Sequence, residues 1–188
     1  PEHDASVQAM TLDDGRGPAL ELIHVPAGGP VHAQRGDPIL MIHGAYADAW
    51  CWAPTFVPYF AAQGHDVFAL SLRGHGASEG KAALNAWGLA DFMKDMTRAQ
   101  EHIGATPILF GASMGGLLAQ RWLTTGRDAV AVVTIGSIPP SGMTGAILRM
   151  AWTQPRNLFE IAQVAGSGMA SRRFMRLLVE QPLRVGDP

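Results

Sequence analysis

Pro107-Ile108-Leu109-Phe110-Gly111-Ala112-Ser113-Met114-Gly115-Gly116-Leu117-Leu118-Ala119-Gln120-Arg121-Trp122 decides the reading of this chain. Ile108 to Phe110 is a short apolar run of the kind a buried parallel strand shows. Leu117, Leu118 and Trp122 continue at helical spacing. Between the two periods lies Gly111-Ala112-Ser113-Met114-Gly115, a G-x-S-x-G pentapeptide. A chain that turns from strand to helix within five residues is strained at its apex, and flanking glycines remove the Cβ atoms that would collide there. The apex serine is pushed outward, and the N–H groups of the new helix point towards it. Ser113 is therefore the candidate nucleophile.

The pentapeptide needs its context. With 22 glycines in 188 residues, eight serines supply about 0.1 match by chance. A second match exists, Gly76-Ala77-Ser78-Glu79-Gly80. Ser78 follows a polar, glycine-rich loop and precedes no immediate apolar helix, so it reads as a loop-capping hydroxyl. A dinucleotide-binding loop at Gly74-x-Gly76 fails because Glu79 stands where the third small residue belongs.

Working outward, residues 6–12 and 19–25 read as an edge hairpin around Asp13-Asp14-Gly15-Arg16-Gly17-Pro18. Residues 38–42 form a buried strand that runs into His43-Gly44-Ala45-Tyr46. Asp48 is placed to cap a helix. Trp50, Trp52, Phe56, Val57 and Phe60 give that helix its apolar face, with Gly64 ending it. Pro54 suits a first turn, whereas Pro58 argues against a regular interior. Residues 66–72 form a third strand, followed by Arg73-Gly74-His75-Gly76. Leu89, Phe92, Met93, Met96 and Ile103 trace one face of a helix on which Asp91, Asp95 and Glu101 read as its solvated side. Residues 129–135 form a β-branched buried strand. Strand and helix alternate, which implies an α/β domain with a mostly parallel sheet flanked by helices.

From Ser137 the character changes. Pro139, Pro140 and Gly142 break the chain, and helical segments follow around 143–152, 156–165 and 171–180. They carry Met143, Met150, Met169, Met175, Trp152 and Phe174, side chains that suit an irregular apolar ligand or ordinary packing. The division expected is a core over 1–136 and a helical segment over 137–188.

A net charge of −2 offers no electrostatic case for nucleic acid or an anionic membrane. No run of 18 apolar residues occurs, so an integral membrane segment is not expected, and the expected location is cytoplasmic. The single cysteine, Cys51, forms no internal disulfide and reads as a small buried hydrophobe between Trp50 and Trp52. His24 and His32 read as surface or edge residues.

Three strand-end motifs now stand in order: His43-Gly44-Ala45, Arg73-Gly74-His75-Gly76-x-Ser78 and Gly111-x-Ser113-x-Gly115-Gly116. Over about residues 15–140 the chain resembles the α/β-hydrolase fold superfamily. The stretch from His43 to Trp52 is similar to small serine esterases of the kind that includes plant methyl esterases and hydroxynitrile lyases. The resemblance implies Ser113 as nucleophile, with the backbone N–H groups of Ala45 and Met114 as the oxyanion hole. It implies structural roles for His43 and His75, a helical lid beginning at 137–188, and no cofactor or metal. Ser71 departs from the aspartate that many relatives place before the Arg-Gly-His-Gly loop, and Ala112 from a larger residue.

The resemblance further implies an acid and then a histidine after the serine. All seven histidines precede Ser113, and Glu160, Glu180 and Asp187 fall in or after the lid helices. The expectation is a chain cut inside the lid, with the last strands missing and the fragment inactive by itself. The function expected of the complete protein is cleavage of a small, largely apolar carboxylic ester. Serine at 113 argues against the dehalogenases and epoxide hydrolases of the fold, which use an aspartate. A hydroxynitrile lyase, perhydrolase, C–C hydrolase or weakly catalytic ligand-binding protein remains open.

Overall fold

Period-two alternation builds the sheet in this computed structural model, which describes residues 7–28, 35–142, 144–156 and 159. In the strand Gly36–Ile42 (β3), Leu40 and Ile42 enter one apolar cluster, and Ile39 and Met41 enter a second on the opposite face. Both faces are thus covered, as a parallel interior strand requires. The other strands are Gln8–Leu12 (β1), Leu20–Val25 (β2), His65–Leu70 (β4), Ile108–Ala112 (β5) and Ala131–Ile135 (β6). Their order is β1-β2-β4-β3-β5-β6. The pairs β4–β3, β3–β5 and β5–β6 are parallel, while the hairpin β1–β2 and the pair β2–β4 are antiparallel.

Helix Phe56–Ala62 (α1) buries Val57 and Ala61 in the second cluster, beside Trp52 and Phe110. Helices Leu89–Ile103 (α2) and Met114–Thr124 (α3) bury Phe92, Met96, Leu118 and Trp122 in the first. The chain steps from β3 to β4 on one side and crosses back to β5 on the other. The carboxyl ends of β3 and β5 therefore flank a topological switch point, where open α/β sheets bind ligands.

Three local expectations are corrected. The single helix through Trp50 is two pieces. A 3-10 turn, Ala49–Cys51, is capped by Asp48, whose carboxylate accepts the Trp50 N–H at 3.0 Å, and α1 starts only at Phe56. Pro58 then falls in a first turn, where its missing N–H has no intrahelical partner to lose. Cys51 is exposed, not buried. The β6 strand forms one edge of the described sheet, and Val133 and Ile135 on it are exposed, not buried.

Asp95 is fully buried, not solvated. Its carboxylate accepts the Arg73 backbone N–H at 3.0 Å, Arg73 Nε at 3.0 Å and Arg73 Nη2 at 2.7 Å. The same guanidinium lies 5.1 Å from the Trp87 ring centroid. This pair fastens the loop after β4 to α2. Asp91, by contrast, is partly exposed, bonding Lys94 and the Gly88 N–H at the helix start.

Contacts divide the chain into two compact units, Pro1–Pro140 and Ser141–Pro188. In the second, Thr144–Thr153 (α4) is helical. The expected helices at 156–165 and 171–180 lie largely or wholly outside the described residues.

Replacing Asp95 by Ala leaves the buried Arg73 guanidinium only its longer ion pair with Asp91 at 3.7 Å, and a loss of about 3–5 kcal/mol in unfolding free energy is expected. Urea titration of the variant measures it; a loss below about 1 kcal/mol would contradict the buried pairing. Gly115→Val and Gly80→Val should also differ. A Cβ at Gly115 overlaps the Ile42 carbonyl oxygen and stands 2.7 Å from that of His43. Overpacking there costs about 1–3 kcal/mol or more, because a central strand cannot yield. Gly80, at φ 95°, offers a Cβ only the Trp87 indole at 3.1 Å, and its left-handed backbone costs about 1–2 kcal/mol. Soluble yield and Tm should fall further for Gly115→Val; equal values would place the tight turn elsewhere.

Candidate active site

Ser113 is the one residue other than glycine with positive φ among those described, at φ 51° and ψ −112°. It leaves β5 and starts α3, as the G-x-S-x-G context requires. Three backbone bonds hold it. Its N–H donates to the Ile135 carbonyl at 2.9 Å, and its carbonyl accepts from Ile138 at 3.2 Å and Leu117 at 3.2 Å. The side chain is exposed, and its Oγ makes no hydrogen bond among the described residues. Met114, the first residue of α3, directs its N–H along the positive end of the helix.

The loop after β3 comes up against this serine. A Cβ on Gly44 would sit 3.2 Å from Ser113 Cβ and 3.8 Å from Oγ, which only glycine's bare backbone accommodates without displacement. His43 shapes that loop from inside. It is fully buried; its Nε2 accepts the Leu72 N–H at 3.0 Å, and Nδ1 lies 2.6 Å from the Gly44 carbonyl oxygen. An Nε2 that accepts forces the proton onto Nδ1, which donates to Gly44. Burial holds this imidazole down at about 4, with the Gly44 carbonyl opposing and His75 adding to the depression. His43 is thus neutral near pH 7, with both nitrogens committed.

The Gly44 carbonyl also accepts from the Ala47 N–H at 3.2 Å. In a trans peptide, fixing that carbonyl aims the Ala45 N–H the opposite way. His75 Nε2 lies 2.9 Å from the Ala45 carbonyl oxygen, so the following peptide is held as well. Neither Ala45 N–H nor Met114 N–H has a partner among the described residues, and Ala45 is exposed.

Ser78 is 3 % exposed, donates to the Ser71 carbonyl at 2.6 Å and accepts the Glu21 N–H at 2.8 Å. It is a loop-capping hydroxyl. Beside it lies a carboxylate that the sequence reading missed. Glu21 on β2 accepts from Ser71 Oγ at 2.6 Å, Trp50 Nε1 at 2.9 Å and the Ala77 N–H at 3.1 Å. Burial pushes its carboxyl upward, but the Ser71, Ala77 and Trp50 bonds outweigh that and hold it below its ordinary value. The signal was present as one acid inside the apolar run Leu20-Glu21-Leu22-Ile23.

Of the other histidines, His24 is half-exposed and stacked on Phe68 at 4.2 Å, His65 bonds the Asp37 carbonyl, and His102 is exposed on α2. His3, His32, Glu160, Glu180 and Asp187 lie outside the described residues. Among the described residues no cluster of His, Cys, Asp or Glu is arranged to hold a metal ion, and no helix is long and apolar enough to cross a membrane.

The sequence model of a family described as the alpha/beta hydrolase fold matches residues 37–162. The chain belongs to that family. A haloalkane dehalogenase of Psychrobacter cryohalolentis is 27 % identical over 139 residues, covering 73 % of this chain and 44 % of that protein. The chain thus spans less than half the length of this curated relative. Among solved structures, a thioesterase domain from the curacin biosynthetic pathway has a TM-score of 0.59 at 21 % identity, covering 94 % of this chain and 68 % of that one. Epoxide hydrolase A from Mycobacterium thermoresistibile has a TM-score of 0.59 at 23 % identity, covering 95 % and 50 %.

His43 predicts a pH dependence. Its folded-state value near 4 lies below the ordinary 6.5. Its contribution is therefore complete above pH 6.5 and is lost as pH falls towards 4, about 3 kcal/mol in all. Urea unfolding of the wild type and His43→Gln between pH 7 and pH 4 should show a steeper decline for the wild type. Parallel declines would mean that His43 is not buried in its neutral form.

Proposed function

We propose that the complete protein is a serine hydrolase that cleaves a carboxylic ester through an acyl-Ser113 intermediate. The strained backbone of Ser113 and its unbonded hydroxyl at the head of α3 carry this reading. Ser113 Oγ attacks the ester carbonyl carbon, and the carbonyl π electrons move onto oxygen. The C–O bond to the alcohol then breaks, and the alcohol leaves with the proton taken from Oγ. Water repeats the attack on the acyl-serine and releases the acid.

The Ala45 and Met114 N–H groups are the donors for the oxyanion. Both are unspent, and both sit on backbone fixed before substrate arrives, so no reorganisation is needed as charge develops. Each such donor is worth roughly 3–4 kcal/mol of barrier. A serine needs a base within reach, and neither His43 nor His75 bonds it. No histidine follows Ser113 in these 188 residues, so we assign the base to a residue outside them, following the order serine, acid, histidine that the family resemblance implies. The apolar side chains from 143 onward support a largely apolar substrate, with 137–188 as the start of a lid.

The dehalogenase and epoxide hydrolase likenesses set the competing reading. Serine rather than a carboxylate at the elbow favours the acyl-serine route. Treating the full-length protein with a fluorophosphonate should label Ser113 and leave Ser78 free. In Ser113→Ala, p-nitrophenyl butyrate turnover should drop by about 10³-fold or more. Labelling at Ser78, full turnover in Ser113→Ala, or turnover of 1-bromobutane or styrene oxide with none of the ester, would overturn the proposal.

A further inference from the structure

We propose that Gln120 is a positioning residue for Ser113, a role that rests on the acyl-serine reading above. Strain of the kind Ser113 carries persists only where neighbours over-determine the backbone. Two of the three bonds on Ser113 come from the exit of β6, namely the Ile135 carbonyl and the Ile138 N–H. That exit contains Gly136 at φ 52° and runs into Pro139-Pro140. A short irregular segment between a strand end and two prolines has no ladder of its own to hold it in place.

Gln120 supplies the missing tie. It sits on α3 two turns beyond Ser113. Its Nε2 donates to Ser137 Oγ at 2.6 Å, with the Gly116 carbonyl at 3.2 Å and the Ile138 carbonyl at 3.4 Å. Two of the three partners are carbonyl oxygens, which only accept, and the Ser137 hydroxyl spends its own proton elsewhere, so the site requires a donor. Ser137 Oγ in turn donates to the Ile138 carbonyl at 3.0 Å. Gly116 leaves room for this seat: a Cβ there would stand 2.6 Å from Ser137 Oγ. One amide thus pins both residues 137 and 138 to the helix that Ser113 begins. The Ile138 N–H is thereby held on the Ser113 carbonyl. The motif marks the serine and its glycines; it does not mark this glutamine.

The consequence is kinetic. Loosening the β6 exit frees Ser113 to drift from its attacking position, and misplacements near 1 Å cost on the order of 10²-fold. Gln120 touches no substrate, so ground-state binding should hardly change. Gln120→Glu keeps the shape and removes both N–H donors. Gln120→Lys restores donors facing the same oxygens.

In the full-length protein, Gln120→Glu should lower kcat for p-nitrophenyl butyrate, and the fluorophosphonate labelling rate, about 10–100-fold. KM should stay within about threefold. Gln120→Lys should recover most of the loss, and Ser137→Ala should show a comparable fall in kcat. Unchanged kcat in Gln120→Glu, or a loss that Gln120→Lys does not relieve, would overturn the assignment. If Gln120→Glu does not fold, Ser137→Ala decides: a tenfold fall in kcat at unchanged KM supports it, and wild-type kcat overturns it. Full turnover in Ser113→Ala would instead overturn the nucleophile, and with it this role, whereas Ser113-dependent turnover untouched by Gln120→Glu would sink only the role of Gln120.

Discussion

A serine held at φ 51° and ψ −112° lies roughly 1–3 kcal/mol above an unstrained residue, so something must hold it there. The architecture around β5 supplies the restraint. The end of β6 bonds the Ser113 N–H, the segment just after it bonds the Ser113 carbonyl, and α3 adds the Leu117 bond. Beneath the turn, Gly115 lies against the carbonyl ends of β3 so closely that no Cβ fits. The elbow therefore depends on β3, β5 and β6 lying side by side and parallel. A local motif in a different sheet order would relax.

The loops around the elbow are held by buried polar groups, not by regular structure. Arg73 and Asp95 fasten the loop after β4 to α2. Glu21 gathers Trp50, Ser71 and Ala77 from two loops onto β2. Here the departure at Ser71 finds its physical account. The serine hydroxyl donates to Glu21 and accepts the Ala49 N–H at 3.0 Å, so a carboxylate is still present, but supplied by a neighbouring strand. An aspartate at 71 beside Glu21 would bury two like charges. Each anchor is saturated with hydrogen bonds, the condition under which a buried charge is tolerated.

The sheet, its helices and the separate places of the two serines, one at the strand-to-helix turn and one in a buried loop, were legible because each rests on short-range pattern. Runs of period two, runs of period 3.6 and glycines at fixed offsets act within a few residues. Asp95 was not legible. Its spacing on α2 gives a face but not a partner, and Arg73 lies 22 positions away, brought near only by the crossing of β4 and α2. Cys51 misled for a related reason. Its tryptophan neighbours imply burial, yet a 3-10 turn rotates successive side chains differently from an α-helix, and the residue is exposed. Gln120 and Glu21 share the difficulty of Asp95, since their partners come from other elements. At the elbow the serine was readable and its supports were not, because the serine is marked by its neighbours in sequence and the supports by neighbours in space.

The same distinction separates the two tasks a histidine could perform beside Ser113. His43 follows the strand that packs against the elbow, and its loop touches the serine, so proximity alone would nominate it as the base. Its hydrogen bonds decide otherwise. One nitrogen accepts from Leu72 and the other donates to Gly44, and burial keeps the ring neutral. To take a proton at Nε2 it would have to abandon the Leu72 N–H, leaving a buried donor unpaired at a cost of roughly 1–3 kcal/mol. It would also have to turn, releasing the Gly44 carbonyl and with it the aim of the Ala45 N–H. The bonds that disqualify this imidazole as a base are the ones that make it an anchor for the loop. A base must be free to gain and lose a proton, and an anchor must not be. One ring cannot do both, so an acyl-serine site on this scaffold needs a second imidazole that approaches Ser113 from outside the β3 loop.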